Sequence, residues 1–325
     1  MTDKAAPPIV DAVAIGRNEG ARLEACLASL KPQVRRLVYV DSGSTDGSVV
    51  AARRLGAEVV ELDMSLPFTA ARARNAGLLA LQQGCQQKAE FIQLVDGDCE
   101  VDADWIPKAQ QFLASSPKAA VACGRRRERF PQASFFNQLC DQEWDTPIGE
   151  AKACGGDALM RLAALQEVGG YRDNLIAGEE PEMCLRLRQA GWTIWRLDHE
   201  MTLHDAQMTR FSQWWKRSRR AGHAFAEGAA LHGKSQEKHW VAETRRATLW
   251  GIAIPAVILA GALLFGWWAL LGFLVYPAQI LRLSQRMGPA SALLTTLGKF
   301  AESHGILEYW WNRARGKGRG ILEYK

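Results

Sequence analysis

Asp96-Gly97-Asp98 closes an apolar run, Phe91-Ile92-Gln93-Leu94-Val95. Side chains one residue apart on an extended chain point the same way. Both carboxylates can therefore face one point just past the end of a buried strand. Hard oxygen ligands of that kind suit Mg2+ or Mn2+ and a substrate that carries phosphates. The same residues also spell an ordinary acidic turn, since Asp and Gly are common there. Other candidates lie on both sides. Asp41 opens a small polar loop, Asp41-Ser42-Gly43-Ser44-Thr45-Asp46-Gly47-Ser48. Arg72, Arg74 and Asn75 fall on an expected helix over 68–81. Arginines there would bind a metal-held diphosphate well, or simply form a solvated face. Glu179 and Glu180 precede Pro181, which suits the first position of a helix and is expected to keep Glu180 extended. Acidic residues at a helix entrance are ordinary caps, and one so placed can also serve as a general base.

The elements that would carry these residues follow from the pattern. Ile9–Ile15, Leu37–Val40 and Ala57–Leu62 read as strands, with helices between them. That alternation predicts a parallel sheet with right-handed crossovers. Ligands of such sheets bind beyond the carboxyl ends of the strands, where Asp41 and Asp96-Gly97-Asp98 fall. Cys154-Gly155-Gly156-Asp157 is expected to precede an apolar helix containing Met160, Leu162 and Leu165. Gly191–Leu197 reads as a closing strand. Arg125–Arg129, with four arginines in five residues, suits a solvated edge, a lipid-phosphate contact or an acceptor site. The segment 130–150 has no clear pattern.

Composition bounds the class. The chain has 325 residues, 48% hydrophobic and 23% charged, as in a folded globular protein. Its net charge of +5 does not imply nucleic acid. The seven cysteines form no Cys-x-x-Cys pair, so neither a disulfide framework nor a zinc site is favoured and a reducing compartment is expected. Met1–Pro8 has no apolar core and is no secretory signal.

Ala247–Leu281 holds no charged residue and no histidine over 35 residues. As one helix it would reach about 52 Å, against about 30 Å of hydrocarbon in a bilayer. Two short segments joined near Phe265-Gly266-Trp267-Trp268 fit better. Arg245 and Arg246 precede the run, and Arg282 and Arg286 follow it, so both ends are expected on the cytoplasmic side. The run is thus a transmembrane or re-entrant hairpin, or is embedded at the interface. Residues 233–246 form a charged link into it. Residues 282–325 form a basic amphipathic segment, ending in Arg313, Arg315, Lys317 and Arg319, suited to an anionic leaflet.

Taken together, residues 9–225 resemble a family 2 glycosyltransferase, an inverting enzyme of the GT-A fold. Arg17-Asn18-Glu19 resembles the family's first nucleotide-binding loop, and Val40–Ser48 its second, in which Asp41 would contact the base. Arg74-Asn75 resembles the helix beside the diphosphate. Asp96-Gly97-Asp98 is similar to the metal-binding Asp-x-Asp motif, with Asp98 on the metal and Asp96 toward the ribose or metal. Gly178-Glu179-Glu180 resembles the Glu-Asp acceptor motif, whose second acid is the base. Here Glu stands in place of Asp, so Glu180 or Glu179 takes the proton. His204 falls where some members place a late metal ligand. Gln207-Met208-Thr209-Arg210-Phe211 nearly matches the Gln-x-x-Arg-Trp of processive synthases.

The resemblance implies a Rossmann-like, mostly parallel α/β sheet with helices on both faces over residues 1–232, followed by a membrane-associated helical region. It implies Mg2+ or Mn2+, a nucleotide-diphosphate sugar donor and a lipid-linked or saccharide acceptor. The expected setting is the cytoplasmic face of the inner membrane, in envelope or exopolysaccharide assembly. The rivals are an inactive nucleotide-sugar-binding scaffold and a nucleotidyltransferase. Against the latter, Gly16–Gly20 is a poor phosphate loop and no Gly-x-x-x-x-Gly-Lys-Ser/Thr is present.

Overall fold

A computed structural model describes residues 8–83 and 87–316. Cys85, Lys317 and Arg319 lie outside them. The chain divides into two units, Met1–Thr209 and Arg210–Lys325. The division falls inside the 1–232 region expected for the sheet, and the helix Phe211–His232 belongs to the second unit.

In the first unit the chain runs β1 (Val10–Gly16), α1 (Ala21–Leu30), β2 (Leu37–Asp41), α2 (Ser48–Arg54), β3 (Glu58–Glu61), α3 (Ala70–Gln82) and β4 (Phe91–Asp96). These strands are parallel in the order β3-β2-β1-β4. Strand β1 is covered on both faces, so Val10–Ile15 are all buried, as a parallel strand between helical layers requires. Its one charge, Asp11, is fully buried and gripped by Arg35 at 2.6 and 3.0 Å. That fork–fork geometry offsets the desolvation of the carboxylate.

Helix α3 begins at Thr69, whose hydroxyl accepts from the Arg72 N–H at 3.0 Å, an ordinary N-cap. It lies so close to β1 that a Cβ on Gly77 would sit 2.2 Å from Val13 Cγ1. Gly77→Ala should therefore destabilise the protein. Helix propensity favours Ala by about 1 kcal/mol, but overpacking a buried seam costs about 1–3 kcal/mol, and a contact that short cannot relax without moving the strand. A thermal melt checks the sign, and an unchanged or raised midpoint would refute the close seam.

The chain continues through β5 (Cys99–Val101), α4 (Trp105–Ser115), β6 (Ala119–Glu128), α5 (Phe135–Glu143), β7 (Gly149–Ala151), β8 (Ala158–Arg161), α6 (Leu162–Glu167), α7 (Glu179–Gln189) and β9 (Thr193–His204). Strand β8 inserts antiparallel between β4 and β6. Strands β6 and β9 are parallel, and β9 is antiparallel to β5 and β7. The result is a mixed sheet, all-parallel toward β3, in the order β3-β2-β1-β4-β8-β6-β9-β5 with β7 beside β9. The helix expected through Met160 is instead a strand followed by a short helix. Ala158, Leu159 and Met160 are all fully buried, and an apolar run that short has no period to separate strand from helix.

Each arginine of 125–129 is paired within the fold: Arg125 with Asp141 and Asp145, Arg126 with Asp157, Arg127 with Glu200, and Arg129 with Glu100.

The second unit contains α8 (Phe211–His232), α9 (Val241–Thr248), α10 (Ile254–Phe265), α11 (Val275–Met287) and α12 (Pro289–Ala314). A π-turn at Leu249–Ala253 precedes α10, and a 3-10 stretch, Trp267–Leu274, follows it. Helices α8 and α12 cross at glycines. A Cβ on Gly222 or on Gly305 would lie 1.9 Å from a backbone oxygen of the other helix. Arg219 and Glu308 pair across the same seam at 2.6 Å. Val241–Phe265 is the one helical stretch among the described residues long and apolar enough to cross a membrane. Its 18-residue apolar window has a mean hydropathy of 2.2 and is unburied. The chain reverses at Gly266, whose φ of 95° favours glycine. The tip side chains Leu263 and Phe265 are 88% and 83% exposed. The legs return to each other at the base, where the Tyr276 hydroxyl donates to the Trp250 carbonyl at 2.6 Å.

Candidate active site

The ends of β1, β2 and β4 bring the first group of candidates together. Asp41 ends β2 and is almost fully buried. Its carboxylate accepts from the Gly43 and Ser44 N–H groups at 2.9 and 2.8 Å, and from the Tyr39 hydroxyl at 2.9 Å. The loop after β2 is thus folded around Asp41. Asn18, in the loop after β1, joins the two loops. Its N–H donates to Ser44 Oγ at 2.9 Å and its Oδ1 accepts from the Thr45 N–H at 2.7 Å. Its φ of 56° is one Asn tolerates well. Arg17 lies over the Phe68 ring at 5.3 Å, and Glu19 pairs with Arg22 at 2.7 Å.

The residue between the two aspartates is fixed by close approach. The Gly97 N–H donates to the Ile15 carbonyl at 2.7 Å. A Cβ on Gly97 would lie 3.0 Å from that same oxygen and 3.5 Å from Glu19 Cγ. A larger residue would therefore push the Asp-x-Asp turn off the end of β1.

Asp96 and Asp98 have different partners. Asp96 meets Arg74 at 2.7 Å, and the other arm of Arg74 meets Glu179 at 2.8 Å. Arg74 thus bridges a strand end and the start of α7. It is 3% exposed, so burial works against its charge, but Asp96 and Glu179 outweigh that and raise its pKa. The Asp96 N–H donates to Asp157, which is fully buried and also held by Arg126 at 2.7 Å and Thr202 Oγ1 at 3.1 Å. Asn75, expected beside Arg74, instead ties the chain at Tyr171. It donates to the Tyr171 carbonyl and accepts from its N–H.

Asp98 and His204 form the second group. Asp98 Oδ2 lies 3.2 Å from His204 Nε2, and both side chains are buried. The pairing of β5 with β9 places Cys99 opposite His204, which is why these distant residues meet. Burial first, and then Arg126, push the His204 pKa down to about 4, so the imidazole is neutral near pH 7. The other ring nitrogen, Nδ1, is buried without a hydrogen-bond partner. Trp144 stands edge-on to the ring at 4.7 Å. A carboxylate and a neutral imidazole with an unused nitrogen, both out of water, fit a divalent cation.

Glu180 follows Glu179 and has partners of its own. Both Glu179 and Glu180 are inside α7, so Glu180 is helical and not extended as expected. An early position in a helix needs no N–H from Pro181, and this outweighs the usual preference of a residue before proline. The Glu180 carboxylate accepts from the Cys154 and Gly155 N–H groups at 2.7 and 3.2 Å. It also accepts from the Cys154 and Cys184 thiols at 3.1 and 2.9 Å. Sequence reasoning did not find Asp157, Arg126, Trp144, Cys154 or Cys184 as site residues. The only local signal was the Gly155-Gly156 pair before Asp157. Both glycines have positive φ, and a Cβ on Gly156 would approach Arg126, Arg74 and Asp96.

Comparison with known proteins places this geometry. Residues 13–156 match the model of Glycosyl transferase family 2. Succinoglycan biosynthesis protein ExoA of Rhizobium meliloti is 28% identical over 197 residues, which is 56% of this chain and 58% of that protein. The chain spans less than two thirds of the length of the curated relatives it matches. Among solved structures, mannosyltransferase PcManGT of Pyrobaculum calidifontis, in complex with GDP-Man and Mn2+, superposes with a TM-score of 0.66 at 18% identity. That match covers 95% of this chain and 89% of the other. TarS 1–349 of S. aureus superposes with a TM-score of 0.50 at 16% identity, covering 95% and 92%. The fold is the GT-A arrangement of a mixed sheet with a helical C-terminal region.

Proposed function

We propose that the chain, whose residues 13–156 match the model of Glycosyl transferase family 2, moves a sugar from a nucleotide-diphosphate donor to a hydroxyl acceptor, with inversion at the anomeric carbon. One observation carries the reading: Arg74 ties Asp96 to Glu179, bringing an Asp-x-Asp strand end and a helix-borne carboxylate to one point. Asp41 and the loop it folds bind the base of the nucleotide. Arg74 faces the diphosphate and Asp96 the ribose. Asp98 and His204 hold Mg2+ or Mn2+. When bound, the cation neutralises charge building on the departing diphosphate. PcManGT, solved with GDP-Man and Mn2+, supports that pairing of donor and metal.

Glu180 is the general base. Glu179 already has one oxygen engaged by Arg74 at 2.8 Å. Glu180 has only neutral donors around it. It takes the acceptor proton as the hydroxyl attacks from the face opposite the leaving group, and no covalent sugar–enzyme intermediate is needed. The test is a screen of nucleotide sugars by thermal shift with Mg2+ and Mn2+, followed by product analysis. A donor that binds only the folded state raises its midpoint. Absence of binding and of turnover with every donor would leave an inactive scaffold.

The acceptor is a lipid-linked or saccharide precursor at the cytoplasmic face of the inner membrane. Support comes from the exposed apolar hairpin around Gly266 and from α12, where Arg315 lies over Trp311 at 3.9 Å and Arg313 over Trp310 at 5.6 Å. Tryptophan with arginine suits the bilayer interface. The full chain should float with anionic liposomes in a density gradient. Replacing Leu263 and Leu264 together by Asp should leave it in the soluble fraction. Flotation of that variant at the wild-type level would remove the hairpin from the membrane contact.

A further inference from the structure

A second group of metal-ligating atoms lies buried at the start of α7. Cys154 Sγ and Cys184 Sγ are 4.0 Å apart, and Glu180 Oε1 lies 3.1 and 2.9 Å from them. All three residues are buried. We propose that Cys154, Cys184 and Glu180 form a site for a thiophilic divalent cation such as Zn2+ or Cd2+, separate from Asp98 and His204, and that filling it stops glycosyl transfer.

The spacing is close to that of a coordination sphere. Two thiolates at about 2.3 Å from a tetrahedral zinc lie about 3.7 Å apart. The sulfurs are about 0.3 Å too far apart, and the carboxylate oxygen lies about half an ångström too close to them, for such a centre, so each atom must shift by a few tenths of an ångström. The chemistry separates this site from the other. Sulfur ligands select soft cations, whereas Mg2+ and Mn2+ prefer the oxygen and imidazole donors of Asp98 and His204.

The parts of the fold that bring the ligands together are rigid. Cys184 follows Glu180 by one helical turn on α7, which puts both on one face. Cys154 is held across from them because its own N–H donates to Glu180 Oε1 at 2.7 Å. Cys123, a further buried thiol, is turned to the Trp195 carbonyl at 3.5 Å and does not belong to the group.

Without a cation both thiols are neutral. Burial above all raises them, and the Glu180 carboxylate adds to it. Binding one divalent cation therefore releases two protons, one from each thiol, and leaves a centre of two thiolates and one carboxylate. Glu180 then has its charge committed to the metal and cannot take a proton from the acceptor. This inhibition rests on Glu180 being the base, but the binding does not.

The test uses the full-length protein with Zn2+ or Cd2+ alone. X-ray absorption of the Zn2+ form should show two sulfur ligands. One sulfur with a nitrogen would place the ion at Asp98, Cys99 and His204 and would overturn the site. Cd2+ should develop thiolate charge-transfer absorption that Cys184→Ser weakens, with at least a tenfold loss in affinity, while Cys99→Ser does not. Equal affinity in Cys184→Ser would also overturn it. If Cys184→Ser does not fold, the sulfur count in the wild type decides alone. In a transfer assay with excess Mn2+, Cd2+ should reduce turnover at least tenfold, and a small dithiol that removes Cd2+ should restore it. Two sulfurs on the metal with turnover unchanged would leave the site standing and remove Glu180 as base.

Discussion

Glu180→Gln is expected to lower the transfer rate by about 10²–10⁴, the range of general-base catalysis, with donor affinity nearly unchanged. The amide keeps the volume of the carboxylate. Its one oxygen can still accept from the Cys154 N–H, so the start of α7 stays in place. What is lost is an oxygen that can take a proton. The informative comparison is Glu179→Gln. Glu179 holds one arm of Arg74 while Asp96 holds the other. Removing that charge loosens the arginine beside the donor, so Glu179→Gln should raise the KM for the donor more than it lowers kcat. A loss in kcat confined to one variant is the signature of an interaction made only in the transition state. Steady-state kinetics on both variants decide the matter. The opposite pattern, with kcat lost at Glu179 and KM at Glu180, would assign the base to Glu179.

Asp98→Ala is expected to abolish the metal dependence of donor binding. Losing a cation that carries several kcal/mol of charge stabilisation corresponds to a hundredfold or more in affinity, at about 1.4 kcal/mol per tenfold. The protein should still fold. His204 is neutral near pH 7, because burial and Arg126 push its pKa down to about 4. Asp98 and His204 therefore meet through one hydrogen bond and not a pair of opposite charges, and breaking it costs about 1–3 kcal/mol. Calorimetry with and without Mn2+ separates the effects. The variant should match the metal-free wild type and should not respond to added Mn2+. A full response to Mn2+ would remove Asp98 from the metal site.

The residues proposed for the donor half were legible as candidates because they sit at strand ends, where an apolar run stops and a polar loop begins. Asp41, Asp96 and Asp98 are all of that kind, and parallel β1, β2 and β4 deliver them to one edge of the sheet. Arg74 was legible only by resemblance, since an arginine on a helix has no local mark that separates a buried bridge from a solvated face. The rest depends on strand pairings distant in sequence. Asp157 supports Asp96 because β8 lies beside β4. Trp144 reaches His204 from the segment that had no readable pattern. Cys154 and Cys184 carry no Cys-x-x-Cys spacing, and only the fold sets both against Glu180. The Arg125–Arg129 run was undecided by sequence. Its density left a solvated edge, a lipid-phosphate contact and an acceptor site all open, and all four arginines find carboxylates of the same unit.

The bond between Tyr276 and Trp250 closes the apolar hairpin into a loop with a single neck. From Gly251 to Phe265 the chain climbs about 22 Å at helical rise, short of the about 30 Å of hydrocarbon, and then comes back. With the membrane association proposed above, a hairpin buried only above this neck would be a wedge in one leaflet. A wedge adds area to the leaflet it enters and none to the other. Many copies side by side would therefore favour membrane that bows toward the leaflet they enter. The protein would gather where the bilayer already has that curvature.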